Sequence, residues 1–442
     1  MNILIITSCF APKNVIGAVR ISKIAKYLIR EGHDLTIISP ALEDYDGIDN
    51  TLECDEFCVA KRITVPYSSL TAKLTRTHKS ETSRQSGSVV GNQTNHSLKS
   101  KIYRVLRSLF SIWRNYEWSQ KVNKIIRKSH TRYDVVISSY PNASTHDSAW
   151  FAKRNGYAKC WVADFRDPIA LDSIHGKQKS MLDKRQSEYV HRSDMTTHVS
   201  KASVERFVCY PGDKSKVKWI PNGFDEEDFE HISNEHEKDE KTHLVFSYAG
   251  GLYSGERDCS PLFQAIRELI DVGTVHVDDV SFEYAGRDYG ILKSQADKYN
   301  LSSIIKDKGI IPRSESINMQ TSSDCVVVAT FCYTDNGGAM TGKIYEPVMM
   351  RRPILLLVNG PGRNSEPGAF VNYLNAGTVY EESDLHGNVT VIKNMIMSMI
   401  AEKKANGSVL SHIDNEKREE YNYKSIVARL SEQIKCMVSD AK

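Results

Sequence analysis

Short apolar runs alternate along the chain with stretches whose apolar residues recur at helical spacing. The run at 2–7 (NILIIT) is followed by a loop containing Pro12 and Gly17, by helical spacing over 19–28, and by a second apolar run at 35–38. A short strand that is buried on both faces and joined to the next by a helix is typical of a parallel sheet. The pattern therefore predicts a strand, a helix and a parallel strand at the start of the chain.

The same alternation continues through the first half of the sequence. Helices are predicted over 144–153 and from Ser203, and the further predicted strands are 133–138, 159–163, 195–199 and 217–220. This series predicts one doubly wound α/β domain of six or seven strands. It closes near residue 220, where Pro221-Asn222-Gly223 predicts a turn.

An acidic segment separates this series from a second one. Residues 225–241 are polar and nearly free of apolar side chains, as expected of a linker. After it, helices are predicted over 261–270, 291–298, 316–321 and 342–350, and strands over 244–249, 280–285, 304–310, 325–329 and 353–358. The fold class is therefore α/β, with Rossmann-like doubly wound domains at 1–224 and 225–420, followed by a C-terminal helix within 421–442 that we expect to pack back on the first domain.

Two insertions interrupt the first domain. Residues 75–100 are rich in Ser, Thr, Asn and Gln, which predicts a mobile loop. Residues 101–128 form a basic amphipathic helix whose apolar stripe includes Ile112 and Trp113. Such a stripe predicts packing on the domain itself, with contact to the inner face of an anionic membrane as the alternative.

Composition narrows the class of protein. A net charge of +3 over 442 residues argues against a protein devoted to wrapping nucleic acid. Nine scattered cysteines fit reduced thiols, and the pair Cys54 and Cys58 lacks a second pair at zinc-ligand spacing. The apolar start lacks the features of a signal peptide, and no apolar run reaches the roughly 20 residues of a membrane span. These patterns predict a cytoplasmic protein without a metal site.

Twin Rossmann-like domains favour a nucleotide ligand, which binds at the carboxyl ends of the strands. The first strand-to-helix loop, 8–17, lacks the G-x-G-x-x-G pattern, so a nicotinamide dehydrogenase is disfavoured. Arg257 follows a glycine-rich turn and Lys343 ends the glycine-rich segment 336–343, where backbone N–H groups and positive charge suit phosphates. A surface arginine and a plain turn before a helix are the alternatives.

Five segments in order carry a resemblance to a known family. They are the N-terminal 40 residues, WVADFRDP (161–168), WIPNGFD (219–225), LVFSYAGGLYSGER (244–257) and TGKIYEPVMMRRPILLL (341–357). Together they resemble the retaining, family-4 type glycosyltransferases of the GT-B fold, in particular enzymes that build bacterial surface polysaccharides. The resemblance implies two Rossmann-like domains facing each other across a cleft. It also implies sugar transfer from a nucleotide-diphosphate sugar to a polysaccharide, lipopolysaccharide or lipid-linked oligosaccharide, without an obligatory metal or other cofactor.

The resemblance also assigns roles to residues of this sequence. Glu346 would hold the ribose hydroxyls of the donor. The remaining donor-binding residues would be Gly17, Gly251, Arg287, Gly338, Met340, Thr341 and Gly342. The catalytic residues would be Arg257, Lys343, Asp164 and Asp167, of which one carboxylate would orient or deprotonate the acceptor hydroxyl. An internal salt-bridge network around Arg166 is the alternative for these two carboxylates.

Three positions depart from the family pattern. Gly338 occupies the place of the first of two paired glutamates, Leu252 that of an arginine, and Ser139 that of a histidine near the reacting centre. His146 lies close in sequence, but a lone histidine is more often structural. These departures keep two alternatives open, which are a nucleotide-sugar 2-epimerase of the same fold and a homologue that binds nucleotides without catalysis.

Overall fold

The chain forms two compact units, each built on one parallel β-sheet. The computed structural model describes residues 1–44, 47–67, 98–169, 176–229, 243–385 and 387–441. The first unit comprises Met1–His198, Val204–Trp219 and Val427–Lys442, and the second comprises Val199–Ser203 and Ile220–Ile426. The predicted pair of Rossmann-like domains is therefore present.

The sheet of the first unit has seven parallel strands in the order β3-β2-β1-β4-β5-β6-β7. The strands are β1 Asn2–Thr7, β2 Asp34–Pro40, β3 Lys61–Val65, β4 Tyr133–Ser139, β5 Ala158–Phe165, β6 Met195–His198 and β7 Val217–Trp219. All of the predicted strands are present. β3 was not predicted because it is an edge strand whose polar residues leave it largely exposed.

In the first unit, helices occupy the predicted positions and one further position that the pattern missed. Those of the first unit are α1 Ile16–Arg30, α2 Leu98–Ser129, α3 Ala143–Arg154, α4 Gly176–Arg192 and α5 Lys201–Phe207, whose first residues belong to the second unit. α4 buries only Gln186, Tyr189 and Val190, so its sequence lacks an apolar stripe that could predict it. Trp118 and Trp161 are fully buried in the core of this unit.

The amphipathic helix α2 packs on the first unit through its second half. Trp118, Val122 and Ile126 are buried, and Trp118 Nε1 donates a hydrogen bond to Val65 O at 3.0 Å. Ile112 and Trp113, predicted on the packed stripe, are instead 59% and 49% exposed. The prediction of packing is thus confirmed for the second half and wrong for these two side chains.

The insertion and the linker fall largely outside the described residues. The predicted loop at 75–100 ends earlier than expected, since 98–100 already belong to α2, and 75–97 are not described. Of the predicted linker, Glu226–Asp228 form a short 3₁₀ turn, while 230–242 lie outside the described part of the chain.

The second unit has six parallel strands in the order β10-β9-β8-β11-β12-β13. They are β8 Leu244–Ala249, β9 Val280–Ala285, β10 Ile305–Asp307, β11 Cys325–Phe331, β12 Ile354–Asn359 and β13 Gly377–Glu381. The helices are α6 Ser260–Asp271, α7 Tyr289–Asp297, α8 Arg313–Ser322, α9 Tyr345–Met350, α10 Glu366–Tyr373, α11 Glu382–Leu385, α12 Thr390–Asn406 and α13 Asn415–Glu419. The helix predicted over 342–350 is a 3₁₀ turn, Gly342–Ile344, that continues into α9.

The last helix, α14 Tyr423–Asp440, begins in the second unit and ends in the first. Within the first unit, Ile434 is fully buried and Ser431 Oγ lies 2.8 Å from His33 Nε2. Its apolar residues at helical spacing therefore form part of that unit's core.

Candidate active site

The candidate site lies in the second unit, at the carboxyl end of β8. β8 lies between β9 and β11, so the direction of strand order reverses here, which is where open α/β sheets bind ligands. β8 ends in the turn Gly250-Gly251-Leu252. Tyr284 Oη donates to Gly250 O at 3.0 Å, and Tyr248 Oη donates to Gly251 O at 3.1 Å. The carbonyl groups of both glycines in the turn are therefore fixed by buried tyrosines.

Asp288 completes this frame from the loop after β9. Its Oδ2 accepts the Leu252 N–H at 2.7 Å, while its own N–H donates to Tyr284 Oη at 2.9 Å. The Leu252 side chain is fully buried in the apolar core. The position at which the resemblance predicts an arginine is therefore part of the apolar core here.

Arg257 supplies one cation beside the turn. The residue is only 6% exposed, Nη1 donates to Gly251 O at 3.3 Å, and the guanidinium lies 4.2 Å from the centre of the Tyr253 ring. Arg257 Nε is buried and has no hydrogen-bond partner among the described residues. A buried donor without a partner is costly, so an anionic ligand at this place would relieve it.

Lys343, which is distant from this turn along the chain, supplies a second cation to it. A Cβ atom on Gly250 would lie 1.5 Å from Lys343 Nζ, so the ammonium occupies the space that a side chain would need. Gly250 also has φ +120, which favours glycine. Lys343 Nζ lies 5.5 Å from the centre of the Tyr248 ring. The Lys343 ammonium thus lies against the turn that Arg257 contacts.

The surroundings make the Lys343 ammonium easy to deprotonate. Burial and the nearby Arg257 charge lower the pKa of Lys343 to about 8, although Glu346 and Asp288 act in the opposite direction. Arg287, which is exposed, lowers it further. The group is therefore a cation at neutral pH whose charge is lost in mildly basic solution.

Glu346 stands in the first turn of α9. Its Oε1 lies 3.5 Å from Arg313 Nε, and its Oε2 accepts a hydrogen bond from Gln320 Nε2 at 3.4 Å. Arg313 also pairs with Asp228 at 3.2 Å. The carboxylate is held in place from two sides and keeps lone pairs for further hydrogen bonds.

Backbone donors of the glycine-rich segment 336–343 are bonded to residues outside the segment. The Gly337 N–H donates to Thr334 O, and the Ala339 N–H donates to Phe331 O, both at 3.1 Å. Those two donors are therefore engaged internally. Gly338 has φ +111, and a Cβ there would lie 2.9 Å from Pro367 Cδ, so the backbone itself disfavours a side chain at this position. Met340, Thr341 and Gly342 lead from it into Lys343, and Thr341 Oγ1 accepts the Lys343 N–H.

The residues predicted in the first unit separate into a buried and an exposed group. Asp164 is 2% exposed and accepts hydrogen bonds from Arg20 (2.8 Å), Thr197 (2.8 Å) and Ser139 (3.0 Å). Burial alone would raise the pKa of Asp164, but these partners, Arg20 foremost, hold it below the usual range. This is the internal network that the sequence left open as an alternative, but centred on Arg20 instead of Arg166.

Asp167 is placed differently. Its side chain is 55% exposed and pairs with Arg166 at 3.3 Å. Arg166 also lies against the start of α1, because a Cβ on Gly17 would lie 1.8 Å from Arg166 Nη1. Asp167 is therefore accessible to solvent, whereas Asp164 is enclosed. His146 is fully buried among aromatic rings, as expected of a structural histidine.

Sequence reasoning missed several residues that build the site. Asp288, Tyr248 and Tyr284 fix the turn, and Tyr253 covers Arg257. Asp288 follows a predicted strand, so the rule on carboxyl ends of strands could have found it. Among the described residues, no group of three or more His, Cys, Asp and Glu is arranged to hold a metal, and no described helix could cross a membrane.

Comparison with known proteins agrees with this architecture. Residues 17–228 match the model of Glycosyltransferase Family 4. No curated protein sequence matches the chain significantly. Among solved structures, Anabaena HepE in complex with UDP has a TM-score of 0.63 at 13% identity, covering 99% of this chain and 100% of HepE.

Two further structures are similar over equally long spans. Sucrose-phosphate synthase from Thermosynechococcus elongatus has a TM-score of 0.62 at 11% identity, with both chains fully covered. WaaG, a glycosyltransferase involved in lipopolysaccharide biosynthesis, has a TM-score of 0.58 at 12% identity, covering 98% of this chain and 99% of WaaG. The predicted GT-B fold is thereby confirmed, and within it residues 17–228 are similar to Glycosyltransferase Family 4.

Proposed function

We propose that the protein is a retaining glycosyltransferase that moves a sugar from a nucleotide-diphosphate sugar to a glycan acceptor. The observation that carries this proposal is the pair of cations, Arg257 and Lys343, on one glycine turn at the carboxyl end of β8. A diphosphate is the ligand chemistry that two partly buried cations and glycine backbone suit best. The bound UDP of HepE, a protein of the same fold, supports this choice of ligand.

The two cations act most strongly when the glycosidic bond breaks. Negative charge then develops on the leaving diphosphate, and positive groups already in place in a low-dielectric site stabilise that charge without reorganising. Arg257 is held by Gly251 O and the Tyr253 ring, and Lys343 by its seat against Gly250. This chain therefore supplies the charge stabilisation from its own side chains, and we propose that no metal is required.

Proton transfer completes the reaction. We propose the front-face route that the family resemblance implies, in which the bond from the anomeric carbon to the leaving phosphate breaks, an oxygen of that phosphate accepts the proton of the acceptor hydroxyl, and the acceptor oxygen bonds to the anomeric carbon. We assign the orientation of the acceptor to exposed Asp167 and a structural role to enclosed Asp164. The proposed acceptor is a polysaccharide, lipopolysaccharide or lipid-linked oligosaccharide in the cytoplasm. WaaG, which has the same fold, is involved in lipopolysaccharide biosynthesis, and this supports an acceptor of that class.

The ligand class can be tested by thermal shift. Purified protein is screened with UDP, GDP, ADP, CMP and NAD in the presence of EDTA, and one nucleoside diphosphate is expected to raise the melting temperature. A response to NAD alone would contradict the proposal. Incubation of the matching nucleotide sugar with and without a glycan acceptor then separates transfer from 2-epimerisation of the free donor and from binding without chemistry.

Glu346 is expected to bind the ribose. Glu346→Gln weakens binding of the selected nucleoside diphosphate by roughly 10-fold to 100-fold, since charge-assisted hydrogen bonds contribute about 1.5–3 kcal/mol. Isothermal titration measures the change, with Glu315→Gln on the exposed surface of α8 as the control. Equal affinity of both variants for the nucleotide would remove Glu346 from the site.

Nucleotide affinity is also expected to fall in basic solution. Lys343 is charged below its pKa of about 8 and neutral above it, and only the charged form attracts a diphosphate. Between pH 7 and pH 9 the affinity for UDP should therefore drop by up to about 10-fold. In Lys343→Met the affinity should be lower at pH 7 and nearly constant over this range, and an unchanged slope in that variant would contradict the assignment.

We also propose peripheral contact of α2 with the inner membrane. Ile112, Trp113 and Tyr116 are 59%, 49% and 60% exposed on one side of a helix rich in Lys and Arg. Exposed apolar side chains on a basic helix are typical of binding to anionic lipid surfaces. Trp113→Glu is expected to reduce sedimentation with phosphatidylglycerol vesicles several-fold, whereas Ile310→Glu, at another exposed apolar position, leaves it unchanged. Equal sedimentation of the two variants would contradict this contact.

A further inference from the structure

Tyr253 has an unusual backbone for an exposed aromatic residue. Tyr253, Ser254 and Gly255 have φ values of +48, +55 and +96, so three consecutive residues adopt the left-handed region. Residues other than glycine rarely adopt this region, least of all bulky ones. Strain of this kind persists where surrounding structure enforces it, and it concentrates at ligand-binding sites. The turn therefore holds the Tyr253 ring in a place that the local sequence alone would not choose.

The ring lies directly over the Arg257 guanidinium. The distance from the guanidinium carbon to the ring centre is 4.2 Å, within the range of a cation–π contact. Arg257 is 6% exposed, whereas Tyr253 is 58% exposed. One side of the ring thus covers the cation, while more than half of the residue's surface is open to solvent.

This position suits one part of a nucleotide sugar. If Arg257 binds the diphosphate, the sugar that is bonded to the distal phosphate lies within reach of a ring stacked on that same cation. The C–H face of a pyranose is apolar and packs against aromatic rings, while its hydroxyls remain available to polar groups such as the Tyr253 hydroxyl. Gly338, in the glycine-rich segment that ends at Lys343, has no side chain with which to contact a sugar.

We propose that Tyr253 is a sugar-stacking residue of the donor subsite, holding Arg257 with one ring face and a hexopyranose with the other. This inference rests on the proposed function, because it assumes that a nucleotide sugar binds at Arg257. It assigns recognition of the transferred sugar to the strained turn after β8. A residue that only shielded Arg257 would affect the diphosphate and the sugar-bearing ligand equally.

The test compares UDP with UDP-glucose, which differ only in the sugar. Isothermal titration of the full chain is done with wild type, Tyr253→Phe and Tyr253→Leu. Tyr253→Leu is expected to weaken UDP-glucose binding about fivefold to tenfold more than UDP binding, and Tyr253→Phe to retain most of the difference. Tyr373→Leu is the matched control, since Tyr373 is also exposed (41%) and carries a lysine, Lys417, 4.9 Å from its ring centre.

The outcomes distinguish a failure of the Tyr253 assignment from a failure of the proposed function. Equal weakening of UDP and UDP-glucose in Tyr253→Leu would reduce Tyr253 to a support for Arg257, and unchanged affinities would make it a bystander, so either result overturns the inference. If wild type binds neither ligand, nor the corresponding ADP and GDP pairs, the proposed function itself fails. Retained UDP binding in each variant shows that its domain is folded.

Discussion

Replacing Arg257 with glutamine is expected to lower the rate of sugar transfer by about 100-fold to 1,000-fold. Loss of one preorganised group that stabilises transition-state charge typically has an effect of this size. Arg257 is buried beside the Gly251 carbonyl and has an unsatisfied Nε, so water replaces its charge poorly. The effect should appear mainly in kcat, because the charge on the diphosphate is greatest as the bond breaks.

A matched arginine elsewhere in the same unit provides the control. Arg267 lies on α6 and pairs with Asp271 at 2.7 Å on the surface. Arg267→Gln should leave kcat unchanged and the melting temperature nearly so. Rates are measured with the nucleotide sugar selected by thermal shift. A kcat for Arg257→Gln within about threefold of wild type would show that Lys343 alone carries the charge stabilisation, and the two-cation assignment would be wrong.

Replacing Arg20 with methionine is expected to destabilise the first unit by about 3–5 kcal/mol, as is typical when one partner of a buried ion pair is removed. Arg20 and Asp164 side chains are 1% and 3% exposed and lie 2.8 Å apart. Without Arg20, the Asp164 carboxylate keeps only the hydroxyls of Thr197 and Ser139 as side-chain hydrogen-bond donors among the residues that the structure describes. Urea unfolding of the first unit, followed by tryptophan fluorescence, measures the loss.

The same helix contains the control for this second prediction. Arg30 pairs with Glu56 at 2.5 Å, but its side chain is 38% exposed, so Arg30→Met should cost less than about 1 kcal/mol. Arg20→Met combined with Asp164→Leu should recover part of the stability, because no unpaired buried charge then remains. Equal losses in Arg20→Met and Arg30→Met would mean that water reaches Asp164.

Low pH should reduce the contribution of the Arg20–Asp164 pair to the stability of the first unit. The folded-state pKa of Asp164 lies below that of an unfolded aspartate, so its contribution to stability is complete above the unfolded value and disappears as pH falls through the folded one. The buried carboxylate therefore favours folding at neutral pH. This behaviour belongs to a structural group, since a general base needs a pKa nearer the working pH.

The fold could be predicted from sequence wherever elements are buried on both sides. The runs at β1, β8 and β12 are continuous and apolar because helices cover both faces of a parallel sheet. Among the elements that were missed, β3 and α4 are each partly exposed and carry mostly polar residues; β13 and α10 to α13 were missed as well. Periodicity reports burial, so elements at the edge of a domain produce a weak signal.

The candidate site was predicted in part for a related reason. Arg257 and Lys343 follow from glycine-rich turns, which are local patterns, whereas Glu346 follows from the family resemblance. The seat of Lys343 against Gly250 joins two distant segments, and only their packing reveals it. Asp164 is the opposite case. Its position at the end of a strand suggested a catalytic role, but its enclosure by Arg20 indicates a structural one. Local pattern identifies the residue types, and tertiary packing decides which of them remain accessible.

The division of the last helix between the units has a consequence for biosynthesis. Val427–Lys442 belong to the first unit, although they are made after all of the second. Residues 427–442 must therefore emerge from the ribosome before the pocket that holds Ile434 and Ser431 can be filled. The core of the first unit is therefore completed last, although its chain begins first, and until then the apolar residues that Ile434 covers lack this partner, a condition that favours non-native association.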